Sequence, residues 1–389
     1  MSLAVDADRI FLERIRRIGA EVAAVHADAV DYDARFPEEA IAALREDGAL
    51  SAFIPTQHGG AGVSINALAR ACYELGRRCS STAMIFAMHQ IQVATVVRHL
   101  DGGWFEEYLR RVVNEQRLIA SVTSEIGTGG DMGRSIAPIT PDGDGFAIEK
   151  QAPTVSYGAY ADDLFTTARR SPQSEQGDQA VVLHHREQTE LEATGTWDTI
   201  GMRGTCSPGF TVRAHFDFEQ ILPAPFATVM HDTHVPVSHI LWSHVWLGIA
   251  TEAFERGRAF VRAAARRNPG APVPAAHSLS RVMPELTMMR AEVEAALADF
   301  VAFSEDPDRP DLATLTSVLR FNNLKLAASE QAPRVCTGVL EVIGIAAYKN
   351  DSPYGVGRQL RDSLSARLMV ANERIHSVDA GLLMIAKEV

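Results

Sequence analysis

The sequence has little of what marks membrane, secreted and nucleic-acid-binding proteins. No apolar run approaches the roughly 20 residues that span a bilayer, and residues 5–17 mix charged with apolar side chains, unlike a signal peptide. The four cysteines form no Cys-x-x-Cys pair, which argues against a disulfide framework. No basic stripe accompanies the net charge of −12. We therefore expect a cytoplasmic protein without a membrane or nucleic-acid partner, and no spacing of histidines predicts a metal site.

The composition is that of a globular protein. The hydrophobic pattern of the sequence changes twice along the chain. The 389 residues are 46% hydrophobic and 22% charged, and this length suggests two or three domains. Apolar side chains recur at helical spacing in residues 6–30, 38–47, 65–77, 81–99 and 103–114. Residues 1–117 are therefore predicted to form an α-helical domain.

A β-rich pattern follows this helical part. Short runs of Val, Ile, Phe and Thr, separated by Pro, Gly and Asp, occur at residues 118–123, 146–149, 163–168, 180–184 and 210–216. Residues 141–145, Pro-Asp-Gly-Asp-Gly, are typical of a hairpin turn. We predict a small antiparallel β domain over residues 118–228, with His184 and His185 on the surface at the end of a strand.

The helical period returns after residue 235 and continues to the end of the chain. Further helices are predicted at residues 284–304, 311–333, 334–348 and 363–387, with a Pro/Gly linker at 268–274. Residues 229–389 would then form a four-helix bundle. The predicted fold class is α+β, with an N-terminal helical domain, a middle antiparallel β domain and a C-terminal four-helix bundle.

A glycine-rich loop lies where the first strand of the β region ends. Residues 121–131 are Ser-Val-Thr-Ser-Glu-Ile-Gly-Thr-Gly-Gly-Asp, with three glycines in four positions. Glycines allow the backbone to turn sharply and to approach a ligand closely. Their N–H groups can converge on an acceptor such as a ring carbonyl or a phosphate. The loop is the first candidate binding site.

Four segments, in order along the whole chain, resemble those of the acyl-CoA dehydrogenase superfamily of flavoproteins. They are residues 36–62, from Phe-Pro-Glu to Gly-Gly-Ala-Gly; residues 122–131; residues 197–207, Trp-Asp-Thr-Ile-Gly-Met-Arg-Gly-Thr-Cys-Ser; and Arg361-Asp362. The second is similar to the Thr-Glu-Pro-Gly-Ala-Gly-Ser-Asp loop of that family. The resemblance implies the same three-domain fold, usually as a homotetramer and otherwise as a homodimer.

The family's chemistry implies a cofactor and partners. FAD would lie between the middle and C-terminal domains, with a neighbouring subunit completing the pyrophosphate site. The reaction would remove an α-proton from an acyl thioester, on CoA or an acyl carrier protein, while a hydride leaves Cβ for flavin N5. An electron-transferring flavoprotein would then accept the electrons.

Carried over by position, the resemblance implies a set of site residues. A hydroxyl on Ser156 would reach flavin N5, where a donor stabilises the reduced anionic ring. Thr154 stands where a tryptophan often shields the flavin. The implied cofactor-binding residues are Thr123, Ser124, Gly129, Gly130, Thr154, Val155, Ser156, Arg266, Glu341, Gly344 and Asn372. The implied substrate-pocket residues are Ser238, His239, Trp242, Met369 and Val370.

The usual carboxylate base is missing from this sequence. Counting from Arg361-Asp362, its position is Val370, and the minority position on the first bundle helix falls near Ser238. Glu373 is the nearest carboxylate, about one helical turn beyond Val370, and is the candidate base. An exposed helical glutamate beside Arg374 is the alternative interpretation.

The dinucleotide-binding segments also depart from the family pattern, which leaves other functions open. Gly130 replaces the loop serine, residues 266–270 replace an Arg-x-x-Phe-Gly segment, and residues 341–347 keep one of several glycines. Weaker binding of the dinucleotide favours a reduced-flavin monooxygenase, with FMN or FAD supplied by a flavin reductase. His89, in Ala-Met-His-Gln, would be its catalytic candidate, or else a core residue. A non-catalytic flavin or acyl-thioester binding protein is the third hypothesis.

Overall fold

The computed structural model describes residues 2–267, 269–305 and 314–386. The predicted helical positions 311–313 and 387, and Asn268 of the predicted linker, lie outside the described residues. In the described part, helices precede and follow a central β region along the chain, which confirms the predicted fold class. The domain boundaries at 117/118 and 228/229 remain predictions.

Six helices form the N-terminal part. Because Ser64 accepts a bond from Ala67 N (3.2 Å), the fourth of these helices begins with a side-chain cap. One π-helical turn, Gly19–Ala23, joins the first two into a continuous rod where a single helix over 6–30 was predicted. The helices are α1 (Ser2–Ile18), α2 (Ala24–Tyr32), α3 (Glu38–Glu46), α4 (Ile65–Gly76), α5 (Ser80–His99) and α6 (Gly103–Glu115).

The β region contains two sheets, and it is mixed rather than wholly antiparallel. The strands are β1 (Ile119–Val122), β2 (Thr140–Asp142), β3 (Gly145–Ala152), β4 (Asp163–Arg169), β5 (Gln179–His185), β6 (Thr189–Ala193) and β7 (Phe210–Phe216). The sheet orders are β1-β4-β5 and β2-β3-β7-β6. The first strand runs parallel to β4, with Ile119 opposite Asp163. The antiparallel prediction is wrong for this pair, because the long connection after β1 allows a crossover that a hairpin cannot make.

The hairpin prediction at residues 141–145 is confirmed. Asp142 pairs with Gly145 across the turn, and Gly143 has φ of +60°. The surface prediction for the two adjacent histidines is wrong for His184, which is fully buried between the hydroxyls of Thr166 and Thr189 at 2.8 and 2.7 Å. Strand alternation explains the difference, because neighbouring residues on a strand point to opposite faces.

Long helices form the C-terminal part. The predicted break at 333/334 is wrong, because Pro333 lies inside one continuous helix. Two shorter helices, Gly357–Leu364 and Asn372–Leu383, take the place of a fourth long helix. The bundle packs around Trp246, Met289, Leu324 and Val335, all buried. The helices are α7 (Phe226–Val229), α8 (Val235–Arg267), α9 (Pro274–Glu305), α10 (Leu315–Ile343), α11 (Ile345–Tyr348), α12 (Gly357–Leu364) and α13 (Asn372–Leu383).

Glycine contacts hold the bundle against the N-terminal helices. A Cβ on Gly248 of α8 would collide with Tyr73 O of α4, and a Cβ on Gly76 would lie 2.6 Å from Val245 O. The two helix backbones therefore pack at a distance that excludes larger residues at these positions.

A second junction joins all three parts of the chain. The Asp362 carboxylate accepts a bond from Met202 N at 2.7 Å, and Gly201 is packed directly against Arg361 O. Asp31 of α2 forms an ion pair with Arg361, and its carbonyl accepts a bond from Arg203 Nε at 2.8 Å. Two of the segments that carry the family resemblance thus contact each other.

The hydropathy of the helices bears on membrane association. Among the helices in the described part of the chain, none has the length and apolar character that a membrane span requires.

Candidate functional site

The glycine-rich loop leaves β1 and opens a shallow platform. Gly127, Gly129 and Gly130 have φ of 94°, 65° and 78°, a conformation that disfavours residues with a Cβ. Apart from its own chain neighbours, no heavy atom of the described residues lies within 4 Å of where a Cβ on Gly129 would stand. The loop surface is therefore open at Gly129, whereas a Cβ on Gly127 would lie 3.2 Å from Ile136 Cδ1.

A buried carboxylate fixes the base of this loop. Glu125 accepts backbone bonds from Ile136 N and Ala137 N at 3.1 and 2.8 Å, and a hydroxyl bond from Ser135 at 2.7 Å. The Lys150 ammonium lies 3.6 Å away and also donates to Thr167 O at 2.6 Å. Because both charges are buried, each offsets the cost of removing the other from water.

Glu125→Gln is expected to lower stability by about 3 kcal/mol, because it leaves the Lys150 ammonium buried without a counter-charge. Urea unfolding would measure the change. Glu149→Gln is the matched control, since Glu149 lies next to Lys150 on β3, where it pairs with Arg213 on the exposed face, and its loss is expected to cost less than about 1 kcal/mol. The double variant Glu125→Gln/Lys150→Met should recover part of the loss, and equal costs for the two glutamates would contradict the anchoring role.

Two further segments complete the β side of the site. Ser124 Oγ donates to Thr154 O at 2.8 Å, which ties the glycine-rich loop to residues 154–156. Ser207 donates to Ser156 Oγ at 3.0 Å, so the Ser156 hydroxyl proton remains free to donate to another acceptor. Val155 is buried beneath them. The structure thus brings together the two segments that the resemblance assigns to flavin contact.

The bundle side of the site is the segment that leads into α13. Val370 has φ of +50°, an outlier for a β-branched residue, and it is exposed. Glu373 follows in the first turn of α13 with an exposed side chain, which has no ion pair or hydrogen bond among the residues that the structure describes. The next residue, Arg374, forms an ion pair with Asp131 at the end of the glycine-rich loop. This ion pair places the start of α13 against the platform.

Asn372 was predicted to contact the cofactor, but its amide is engaged inside the bundle. Its Oδ1 accepts bonds from Lys325 Nζ at 2.5 Å and Ser329 Oγ at 3.2 Å, and Asn372 is buried. Lys325 itself is fully buried on α10 and has no carboxylate partner among the described residues. Burial lowers the pKa of Lys325 to about 8.

Lys325→Met is expected to change how stability depends on pH. The folded pKa of Lys325 lies below the roughly 10.4 of an unfolded lysine, so the unfolded chain binds the extra proton between these values. The free energy of unfolding of the wild type should therefore increase relative to that of the variant as pH rises from about 8 to about 10. Urea unfolding of both proteins at pH 7, 8.5 and 10 measures this difference, and a constant difference across the range would contradict the buried-lysine explanation.

The predicted substrate-pocket residues lie on α8 and on the segment before α13. Ser238 is buried with its hydroxyl directed to His234 O at 2.5 Å. His239 Nδ1 lies 2.9 Å from Phe321 O, and burial lowers the pKa of His239 to about 3, so the ring is neutral. Trp242 contacts the His239 ring, and its buried Nε1 has no acceptor in the described structure. Met369 packs on the edge of the core.

His89 does not fit the catalytic role that was considered for it. The ring is fully buried, and Nδ1 accepts a bond from Ile119 N at 3.1 Å. The ring proton therefore lies on Nε2, which donates to Leu50 O at 2.7 Å. Burial lowers the pKa of His89 to about 4. Both nitrogens are engaged in joining α5 to β1, which is the core role that the sequence left open.

The remaining predicted cofactor residues are at helix ends away from the platform. Arg266 is exposed in the last turn of α8, and Glu341 and Gly344 are exposed at the end of α10. No described contact links them to the glycine-rich loop, so within one chain the predicted set divides into two groups.

Glu125, Lys325 and Arg374 are structurally important here, and the sequence alone assigned them no role. Lys325 could have been noticed, because it interrupts an otherwise apolar face between Phe321 and Ala328. The partners of Glu125 and Arg374 depend on tertiary contacts, which no local pattern reveals.

A planar aromatic cofactor with polar edges fits these residues. The platform offers open space over Gly129, and Thr123 and Ser156 are half-buried on the two segments that the Ser124–Thr154 hydrogen bond joins. Ser121 donates to Thr123 Oγ1 at 3.4 Å, so the Thr123 proton is also free to donate. This donor set suits the ring nitrogens and carbonyls of a flavin.

Comparison with known proteins gives one family match and several full-length relatives. The model of the acyl-CoA dehydrogenase N-terminal domain matches residues 6–116. Cyclohex-1-ene-1-carbonyl-CoA dehydrogenase of Syntrophus aciditrophicus strain SB is 24% identical, covering 98% of this chain and 90% of the relative. The enzyme of the same name from Geobacter metallireducens is 23% identical, covering 99% and 100%.

Solved structures share the fold over nearly the whole chain. KijD3 in complex with dTDP has a TM-score of 0.83 at 24% identity, covering 97% of each chain. Butyryl-CoA dehydrogenase from Megasphaera elsdenii has a TM-score of 0.81 at 19% identity, covering 97% of this chain and 98% of that one. Dibenzothiophene monooxygenase TdsC from Paenibacillus sp. A11-2 has a TM-score of 0.79 at 19% identity, covering 96% and 97%.

Proposed function

Because the chain belongs to the acyl-CoA dehydrogenase superfamily, we propose that it is a flavin-dependent dehydrogenase that desaturates an acyl thioester between Cα and Cβ. One observation supports this reaction above all. Glu373 is a carboxylate on the segment tied to the glycine-rich loop, and it is exposed with no partner among the described residues. A carboxylate in this state is available to accept a proton.

The proposed roles divide between the two sides of the site. Glu373 takes the α-proton, and Val370, at the family's usual base position, contributes apolar surface against the substrate. A bound flavin would accept the hydride that leaves Cβ. Ser156 and Thr123 donate hydrogen bonds to the ring, which stabilise it more strongly once it carries the added charge.

An anaerobic titration tests the proposed reaction directly. Purified protein loaded with FAD is mixed with a panel of acyl-CoAs of different chain length and branching, and the absorbance of the oxidised flavin is followed. Bleaching by a thioester, with an enoyl product two mass units lighter than the substrate, is expected. Bound flavin that no member of the panel reduces, on CoA or on a carrier protein, would count against desaturation.

A reduced-flavin monooxygenase is the second candidate, and the apolar Val370 at the base position favours it. Such an enzyme activates oxygen and needs no carboxylate over Cα. It should bind reduced FMN or FAD more tightly than oxidised flavin, and a flavin reductase would supply the cofactor. Anaerobic binding titrations of the two redox states distinguish it from the dehydrogenase, which should retain oxidised flavin.

We further propose that another copy of the chain completes the FAD-binding site. Arg266, Glu341 and Gly344 are exposed away from the platform of their own chain. Large apolar side chains are also exposed in the same part of the protein: Ile345, Tyr348, Leu368, Leu383, Met384 and Ile385. A homotetramer would cover this surface and supply the far end of the dinucleotide site. Light scattering measures the assembly, and a monomer that still binds FAD tightly would contradict it.

The proposed dehydrogenase also needs an electron acceptor and a cellular compartment. We propose an electron-transferring flavoprotein as acceptor, acting in the cytoplasm, where the free thiols of Cys72, Cys79, Cys206 and Cys336 would remain reduced. Reoxidation of substrate-reduced protein by added electron-transferring flavoprotein, but not by NAD, is the expected result.

A further inference from the structure

Ser156 is held by the segment that precedes β7. Tyr157 N donates to Thr205 O at 2.8 Å, and Val155 N donates to Pro208 O at 3.1 Å. These two backbone bonds are made by the residues immediately before and after Ser156. The backbone of Ser156 is therefore fixed against the neighbouring segment on both sides.

Three hydroxyl groups form a chain that ends at Ser156. Thr205 Oγ1 lies 2.9 Å from Ser207 Oγ, and Ser207 donates to Ser156 Oγ at 3.0 Å. Thr205 and Ser207 are buried, whereas Ser156 is half-buried. The Ser156 proton has no acceptor among the residues that the structure describes. The last hydroxyl of the chain thus accepts a bond from the protein and keeps its own proton for a ligand.

The direction of this chain follows from the groups at its inner end. The Met202 carbonyl oxygen accepts bonds from Trp197 Nε1 and from Thr205 N, both at 3.1 Å. These two donors occupy both lone pairs of that oxygen. The Thr205 hydroxyl, although 2.8 Å from the same oxygen, is therefore better satisfied by donating to Ser207. The proton of Ser207 then goes to Ser156 Oγ at 3.0 Å, which is nearer than the other acceptor, Thr205 O at 3.2 Å.

Contacts with the other two parts of the chain hold the supporting segment in place. Met202 N donates to the buried Asp362 carboxylate at 2.7 Å. A Cβ on Gly204 would lie 2.3 Å from Val30 Cγ1, so the segment is also packed directly against α2. A hydroxyl on such a support keeps its direction, and it needs no reorganisation when charge develops on its partner.

We propose that Ser207 is a positioning residue of the flavin site, which directs the Ser156 hydroxyl proton at the flavin ring, and that Thr205 orients Ser207 in turn. This role rests on the proposed flavin site. Ser207 acts through Ser156 and does not contact the ring itself. Without the Ser207 hydroxyl, the Ser156 side chain rotates and its proton is no longer directed at the ring. Because a donor stabilises the ring more strongly once the ring carries added charge, the chain of hydroxyls favours reduced flavin over oxidised flavin.

The test is the midpoint potential of bound FAD, measured with a chemical reductant in the wild type and in Ser207→Ala. The affinity for reduced FAD relative to oxidised FAD is expected to fall about threefold to tenfold, as for loss of one oriented hydrogen bond. A tenfold change lowers the potential of a two-electron couple by about 30 mV. Ser207→Thr keeps the hydroxyl and should retain the wild-type potential. Ser51→Ala is the matched control, because Ser51 is a buried serine in the N-terminal part whose hydroxyl donates to Gly48 O.

A double variant shows whether Ser207 acts through Ser156. Ser156→Ala should lower the potential at least as far as Ser207→Ala does, and combining the two should cause no further change. An unchanged potential in Ser207→Ala, or effects of the two substitutions that add, would overturn the proposal. If Ser207→Ala does not fold, Ser207→Thr and Ser207→Val provide the same comparison, because these two side chains share one shape and differ by the hydroxyl.

Failure of the proposed dehydrogenase function would give a different result. Bound flavin that no acyl thioester reduces would count against desaturation, while the potentials measured with a chemical reductant would still test Ser207. A chain that binds no flavin in any variant would overturn the flavin site and the role of Ser207 together.

Discussion

Glu373→Gln is expected to slow reduction of the bound flavin by an acyl thioester by about 10²- to 10⁴-fold, the usual contribution of a general base. Glutamine keeps the size and polarity of the side chain but cannot accept the α-proton. Binding of the thioester should change little, because the site keeps all its other groups. Stopped-flow absorbance under anaerobic conditions measures the reduction rate separately from binding.

Two further variants make the result specific to position 373. Glu294→Gln alters an exposed glutamate on α9 with only a 4.0 Å contact to Arg290, and its rate should equal that of the wild type. Val370→Glu in the Glu373→Gln background places a carboxylate at the family's usual base position and should restore part of the rate. If Glu373→Gln alone reduces at the wild-type rate, another group is the base or none is needed.

Asp163→Asn is expected to lower the free energy of unfolding by about 3–5 kcal/mol, because it removes one partner of a buried ion pair. The Asp163 carboxylate is fully buried and accepts bonds from Arg117 at 2.6 Å, Tyr108 at 2.7 Å and His185 at 2.7 Å. These bonds join the end of α6 to β4 and β5. Asp178→Asn is the control, since its ion pair with Arg170 is exposed and should contribute at most about 1 kcal/mol.

Acidification tests the Asp163 ion pair through the pH dependence of stability. Burial alone would raise the pKa of Asp163, but the hydrogen bonds from Arg117 and His185 outweigh it and lower the pKa below its usual value. The stabilisation is therefore complete above the unfolded pKa of about 3.9 and is lost as pH falls through the folded value. Urea midpoints below pH 4 should fall more steeply for wild type than for Asp163→Asn. Parallel curves would show that the pair does not stabilise the folded chain.

The sequence predicted the fold well where its periodicity was long and regular. The helices at 65–77, 81–99 and 103–114 and the strands near 146, 163, 180 and 210 occur within a few residues of their predicted positions. It failed where a local rule was overridden by packing. Pro333 was taken as a break, but the surrounding helix of 29 residues tolerates it because both flanks are buried in the bundle. The parallel pairing of β1 depends on a crossover that strand patterns do not encode.

The candidate site was predictable only as a list of segments. The glycine-rich loop and residues 154–156 do meet, through Ser124, because both follow strands of neighbouring sheets. The roles of single side chains were not predictable in this way. His89 could be given two roles from sequence, and only the positions of Ile119 N and Leu50 O show which one the ring serves. Arg374 became visible only when its partner, 243 residues away in sequence, was known.

The junction of Gly201, Asp362 and Asp31 limits how a ligand can enter the site. Domains that close around a substrate usually turn about a few hinge residues with loose contacts across the cleft. Here the β region, the bundle and the first helices are fixed to one another by backbone packing and by bonds from Met202 and Arg203. We therefore expect the three parts to move as one body, so that a ligand enters past side chains and the glycine-rich loop. Selectivity would then depend on the width of that entrance more than on closure.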